Sequence, residues 1–245
     1  MKKYFNVYLE FDKHKVDEII KETIITGCKG YVCSVEGNVL ATANRNREYL
    51  DIVNGSIVNI CDGGSIALLA SSIHCEKLTS YIGADLFINY IKKKEFKSFF
   101  LGNTFEVLNG LKENLSKIDE SISRMRFEEL PFRNVDEFDY PEIARIINEN
   151  NPDIIWVSLG APKQEIFMSK LLPFINKGVM FGFGAIFNFY SGVDNQRRAP
   201  KLFLKLKLEW LYRVLMGERR IGKRALAYVK LLPGLVLQEF KQKNL

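Results

Sequence analysis

Asp153-Ile-Ile-Trp-Val-Ser-Leu-Gly-Ala-Pro-Lys-Gln-Glu165 decides the fold class. Its apolar run is continuous, and it stops at Gly160 just before a helix that follows from Pro162. A strand with no polar alternation is buried on both faces, as in a parallel sheet covered by helices on each side. Downstream, Gly178-Val-Met-Phe-Gly182 repeats the pattern as the next strand. Upstream, strands are expected at residues 30–34, 56–61 and 97–101. Helices are expected after Asp12 as far as Gly27, over residues 45–53, around 87–91, from Gly102 through Leu115, and over 141–150. Strands alternating with helices predict an α/β, Rossmann-like domain with a mostly parallel sheet. From Lys201 onward the pattern is helical only. The expected organisation is a body over residues 1–196 and a basic helical appendage over 197–245.

Composition narrows the class further. With 47% hydrophobic and 26% charged residues over 245 positions, the chain can bury a core without staples. Cys28, Cys33, Cys61 and Cys75 form no C-x-x-C pair and do not cluster with His14 or His74, so they read as small buried hydrophobes in a reducing compartment. The N-terminal residues lack an unbroken apolar core of the secretory kind, and no run approaches the roughly 20 apolar residues that span a bilayer. A cytoplasmic protein is expected. Its charge is unevenly spread. Residues 197–245 carry 13 Lys and Arg against 3 Asp and Glu, whereas the preceding 196 carry 22 against 26. A basic tail on a weakly acidic body calls for an anionic partner.

In open α/β sheets ligands lie beyond the carboxyl ends of the strands. Those ends read Ser34-Val-Glu36, Asp62-Gly-Gly64, Leu101-Gly-Asn103, Leu159-Gly160 and Phe181-Gly-Phe-Gly-Ala185. Gly63, Gly102, Gly160 and Gly184 would let backbone amides approach a phosphate or sugar, although a tight turn alone also selects glycine. Asp62 suits a general base that deprotonates an acceptor hydroxyl, with the N-cap of the next helix as the alternative. Lys163 could meet a diphosphate or stay in solvent, and Gln164 can hydrogen-bond sugar hydroxyls in either sense. In the tail, Ile221, Ala225, Tyr228 and Leu232 share one helical face with Arg220 and Arg224 alongside. Such a helix suits an anionic membrane surface, packing on the body with a solvated charged face, or arginines on a diphosphate. No D-x-D pair is present, and Asp136-Glu-Phe-Asp139 has the wrong spacing in an expected loop. No divalent metal and no other cofactor is therefore expected, with arginines neutralising a leaving diphosphate.

Taken in order, Asp62-Gly63, Gly83-Ala-Asp85, Phe100-Leu-Gly102, Gly160-Ala-Pro-Lys-Gln-Glu165, Gly182-Phe-Gly-Ala185, Arg198-Ala-Pro200 and Leu208-Glu-Trp-Leu-Tyr-Arg213 resemble the WecG/TagA/CpsF family, glycosyltransferase family 26, across nearly the whole chain. The resemblance implies an inverting, metal-independent transfer from a UDP-sugar, typically UDP-N-acetylmannosamine. Its implied acceptor is N-acetylglucosamine on undecaprenyl diphosphate, at the inner face of the cell membrane. It places the base at Asp62, the active-site glutamine at Gln164 and appendage cations at Arg213, Arg220 and Lys223. With them, Ser34, Gly63, Gly102, Gly160, Lys163 and Gly184 make up the expected substrate site.

Three positions depart from the family pattern. Ser34-Val-Glu36 stands where T-x-N is usual, Ser80 where an arginine precedes G-x-D, and Asn188 where an aspartate is usual. These changes put the sugar in question more than the reaction. They also motivate a second reading, a sugar-nucleotide-binding or membrane-associated scaffold that kept the fold and lost activity. Nucleic-acid binding would need exposed aromatics among the basic residues, whereas Trp210 and Tyr212 read as core positions, so no nucleic-acid partner is expected. Oligomeric state stays open, a homo-oligomer included.

Overall fold

The computed structural model describes residues 1–193, 212 and 219–243. The body boundary at residue 196, Arg198-Ala-Pro200, Trp210 and Arg213 lie outside the described residues.

Six parallel strands form the sheet: β3 (Lys29–Val35), β4 (Val58–Cys61), β5 (Ser98–Gly102), β6 (Arg126–Glu128), β7 (Ile154–Ser158) and β8 (Gly178–Gly182). Their order is β4-β3-β8-β7-β5-β6. Every residue of β5, β7 and β8 is buried, as their unbroken apolar runs require. Successive side chains enter different cores. Ile155 and Val157 join Cys33, Val35 and Met180 on one face; Ile154 and Trp156 join Val32, Val179 and Phe181 on the other. The α/β fold with helices on both faces is thus present.

The second face is covered by α1 (Lys13–Ile25), α5 (Gly83–Lys93), α6 (Phe105–Ser116) and α9 (Ile186–Ser191), which supply Val16, Ile20, Phe87, Leu111 and Phe187. The first is covered by α2 (Gly37–Ala43), α3 (Arg47–Asn54), α4 (Gly64–His74), α7 (Tyr140–Asn150) and α8 (Lys163–Leu171). Asp12 caps α1 by accepting from His14 N. The helix expected at 45–53 begins later because the Asn46 side chain accepts from Tyr49 N and caps α3. Asp136 falls in a short 3-10 turn, and Asp139 caps α7. Cys33 and Cys61 are buried on strands, but Cys28 and Cys75 are exposed because they sit in the turns that end α1 and α4. The burial expected for all four holds for two.

A hairpin of β1 (Lys2–Tyr4) and β2 (Val7–Leu9) packs beside β4, turning through Phe5 and Asn6 at positive φ. The long helix α10 (Arg219–Lys243) lies against α2 and α4. It buries Tyr228, Leu235 and Glu239 and partly buries Ala225 and Leu232. The inward face is thus the one expected from Ala225, Tyr228 and Leu232. At the far end, Glu239 accepts from Phe5 N at 2.6 Å and bonds His74 Nε2 at 2.8 Å. Glu239→Ala leaves the Phe5 amide buried and unpaired, a loss of about 1–3 kcal/mol. Faster hydrogen exchange across α10 and a lower melting temperature are the expected readouts.

Candidate active site

The carboxyl ends of β4, β3, β8, β7 and β5 open side by side along one edge of the body. Asp62 follows β4 directly, and its backbone N–H donates to Val35 O at 3.1 Å, which holds it against β3. Its Oδ2 accepts from Ser34 Oγ at 2.8 Å and its Oδ1 from Gly83 N at 3.2 Å. Asp62 therefore does not cap α4; Gly63 occupies the cap position, without a side-chain bond. A Cβ on Gly63 would lie 2.8 Å from Ile66 Cδ1, so a close turn already accounts for that glycine. Asp62 stays half-buried, with both oxygens oriented.

Glu36 caps α2, accepting from Asn38 N at 2.8 Å and Val39 N at 3.2 Å. Burial pushes its carboxyl above the usual range, the Asp62 charge adds to the rise, and Arg224 opposes it. Ser80 lies in the loop before α5, next to Tyr81, whose N–H donates to Cys61 O at 2.8 Å.

On the other side of the mouth, Gln164 is buried and has all its bonding directions met. Its Oε1 accepts from Gly160 N at 3.0 Å and Gly184 N at 2.9 Å. Its Nε2 donates to Gly182 O at 2.7 Å and Glu165 Oε1 at 2.9 Å. The amides of Gly160 and Gly184 thus point at Gln164 rather than outward. Gly160, at φ +76°, and Gly184 press together: a Cβ on Gly184 would lie 2.5 Å from Gly160 Cα. Ser158 Oγ donates to Gly184 O at 2.9 Å and accepts from Asn103 Nδ2, which also donates to Asn188 Oδ1 at 2.8 Å. Gly102, at φ +96°, lets β5 turn over Ser158 O, only 2.8 Å from where its Cβ would be.

Lys163 turns away from Asp62. Its Nζ donates to Arg133 O and sits over the rings of Phe132 and Phe138, at 5.4 and 5.1 Å. The appendage closes the opposite edge. Arg224 donates to Ala161 O at 3.3 Å, Arg45 donates to Ala227 O at 2.9 Å, and the Tyr228 and Ser65 hydroxyls are 3.2 Å apart. Arg220 lies in the first turn of α10 and Lys223 is exposed one turn on. The structure thus gathers Ser34, Glu36, Asp62 and Gly63 on one side, and Gly102, Gly160, Gln164 and Gly184 on the other. Lys163 stands apart from both. The sequence did not single out Glu165, Tyr49 or Asn103; the Glu165 carboxylate directly after Gln164 was the available signal. Among the described residues, no three His, Cys, Asp or Glu side chains gather into a metal-binding group.

The family model for the WecG/TagA/CpsF glycosyl transferases matches residues 5–245. The chain belongs to this family. It is accordingly a glycosyltransferase. A Bacillus subtilis (strain 168) protein named N-acetylglucosaminyldiphosphoundecaprenol N-acetyl-beta-D-mannosaminyltransferase is 29% identical over 240 residues, covering 97% of this chain and 86% of that protein. Proteins of the same name from Bacillus spizizenii (strain ATCC 23059 / NRRL B-14472 / W23) and Staphylococcus aureus (strain MW2) are each 26% identical, covering 85% and 79% of this chain and 82% and 74% of theirs.

The contact between the two glycine turns gives a direct test. Gly184→Ala forces Gly160 away, so turnover should fall by about tenfold or more. Steady-state kinetics beside a thermal melt will separate this from loss of folding.

Proposed function

We propose that this enzyme transfers N-acetylmannosamine from its UDP-sugar to N-acetylglucosamine carried on undecaprenyl diphosphate, within teichoic acid or related surface-polysaccharide synthesis. The relatives' shared name supports this donor and acceptor. Asp62 carries the mechanistic reading: a half-buried carboxylate at a strand mouth, oriented by Ser34 Oγ and Gly83 N. As general base it takes the proton of the acceptor hydroxyl. The freed oxygen attacks the anomeric carbon, the bond to the diphosphate breaks, and UDP leaves with the electron pair. One such displacement inverts the anomeric centre. Arg213, Arg220 and Lys223 are proposed to neutralise the diphosphates in place of a metal. The approach of Arg224 to the Ala161 turn supports this reading, since it brings that part of α10 to the mouth. Gln164 is proposed to serve by holding the Gly160 and Gly184 turns. An inactive scaffold is disfavoured by the intact Ser34-Asp62-Gly83 arrangement.

The deciding experiment incubates the protein with UDP-N-acetylmannosamine and a lipid-diphosphate N-acetylglucosamine acceptor in excess EDTA and follows UDP release. Turnover should persist under chelation. Asp62→Asn should lower it by roughly 10²-fold or more while UDP still binds. Wild-type turnover in that variant removes Asp62 from the reaction, and loss under EDTA with rescue by Mn²⁺ overturns the metal-independent reading.

We also propose that α10 rests on the anionic inner face of the membrane as a peripheral contact. No helix among the described residues is long and apolar enough to cross a bilayer. The outward face of α10 instead presents Leu226, Val229, Leu237 and Phe240, all exposed, in one row. Lys223, Lys230 and Lys241 run beside that row, and each basic residue contributes on the order of 1 kcal/mol near an anionic surface. Changing the four apolar residues to Ser should abolish sedimentation with phosphatidylglycerol vesicles and spare the melting temperature. Unchanged sedimentation would assign the row to solvent.

A further inference from the structure

Glu165 is fully buried one residue beyond Gln164, and the base-catalysed step described above makes no use of it. Its Oε1 accepts from Gln164 Nε2 at 2.9 Å and its Oε2 from the Tyr49 hydroxyl at 3.0 Å. A carboxamide can be turned end for end, and Gln164 would then aim its NH2 group at the amides of Gly160 and Gly184. The acceptor pair Glu165 Oε1 and Gly182 O excludes that orientation, because both require the NH2 group on their side. The consequence reaches Asp62 through one side chain. Phe183 lies between the two clamped residues Gly182 and Gly184, and its ring would be 3.0 Å from a Cβ on Gly83, whose N–H donates to Asp62 Oδ1.

We propose that Glu165 is a positioning residue of the transfer reaction, holding the Gln164 amide in the one orientation that locks the two glycine turns and, through Phe183 and Gly83, the carboxylate of Asp62. This inference rests on Asp62 being the base.

Both oxygens of Glu165 act as acceptors, so the arrangement belongs to the ionised form. A proton on Oε1 sets a donor against the Gln164 donor, and a proton on Oε2 displaces the Tyr49 hydroxyl proton from its acceptor. Burial raises the Glu165 carboxyl to about 7, while the bonds from Gln164 and Tyr49 hold it down and the Glu36 charge adds to the rise. The facing groups are Tyr49 from α3, Cys33 from β3 and Glu36 at the start of α2. Burial pushes the Tyr49 hydroxyl and the Cys33 thiol upward, and the Glu165 charge adds to both shifts. The Glu36 carboxyl is raised by burial as well, and Gln164, bonded to Glu165 Oε1, reports the charge of Glu165. Acid releases the clamp and base sets it.

The test uses the full chain and two readouts. One is the side-chain NH2 resonance of Gln164, followed by NMR across the neutral range without substrate. The other is kcat and donor KM for UDP-N-acetylmannosamine over the same range. In the wild type both should titrate near the Glu165 value, with kcat falling about tenfold on the acid side and KM changing less than about twofold. Glu165→Gln cannot accept both bonds, so it should hold the lowered kcat at every pH and abolish the titration of Gln164. Tyr49→Phe removes a bond that favours the charged form, so both midpoints should move to higher pH. That variant keeps the test decisive if Glu165→Gln fails to fold. Midpoints unmoved by Tyr49→Phe, or a Gln164 resonance that titrates while kcat stays flat, would overturn the proposal. The resonance is read without turnover, so an active Asp62→Asn enzyme would fault the assignment of the base and leave the Gln164 result standing.

Discussion

Gly160 and Gly184 approach so closely that no side-chain carbon could stand between them, and the rest of the site depends on that contact. Two turns leaving neighbouring strands would otherwise separate, because each carries backbone amides that water could satisfy. Gln164 replaces that water on both turns with one oxygen and returns its NH2 group to Gly182 O. The lost hydration is offset by a complete set of bonds in a buried place, where an unpaired amide costs about 1–3 kcal/mol. A rigid mouth follows from this, and a rigid mouth is what a displacement reaction needs to bring two bulky sugars together.

The two sides of the mouth are built on different principles. Around Asp62 the chain leaves a carboxylate half-buried, with Ser34 Oγ bonded to one oxygen and Gly83 N to the other. Both oxygens are oriented by these bonds. Around Gln164 nothing is left over. In the proposed reading the chemistry belongs to the β4 side and the geometry to the β7–β8 side, with the Phe183 ring beside Gly83 between them.

The sheet was legible because its strands are uninterrupted: Ile154 to Val157 and Val179 to Phe181 admit no other reading once helices flank them. That Asp62 and the glycines stand at strand ends was legible because each closes a mostly apolar run. Other features were hidden for physical reasons. The hairpin strands are three residues long, too short for any period to register. Gly64–His74 carries serines among its apolar residues and gives no clear face, so α4 went unread. Gln164 announced itself as a polar residue in a first helical turn, but a sequence cannot say whether such an amide faces substrate or backbone. Its partners come from segments up to 20 residues away. Lys163 shows the same limit: its cation rests on Phe132 and Phe138, which only the folded chain brings near.

The bond from Phe5 N to Glu239 joins positions 234 residues apart. During synthesis the hairpin leaves the ribosome long before α10 exists. At roughly 5–20 residues per second, the Phe5 amide and His74 wait on the order of ten seconds or more for their carboxylate partner. The sheet between them has time to assemble first. Closure of the final helix over Ser65 and the Ala161 turn is therefore a late event in biogenesis, and a ribosome-bound chain stopped short of Glu239 carries a formed sheet with an unsealed flank.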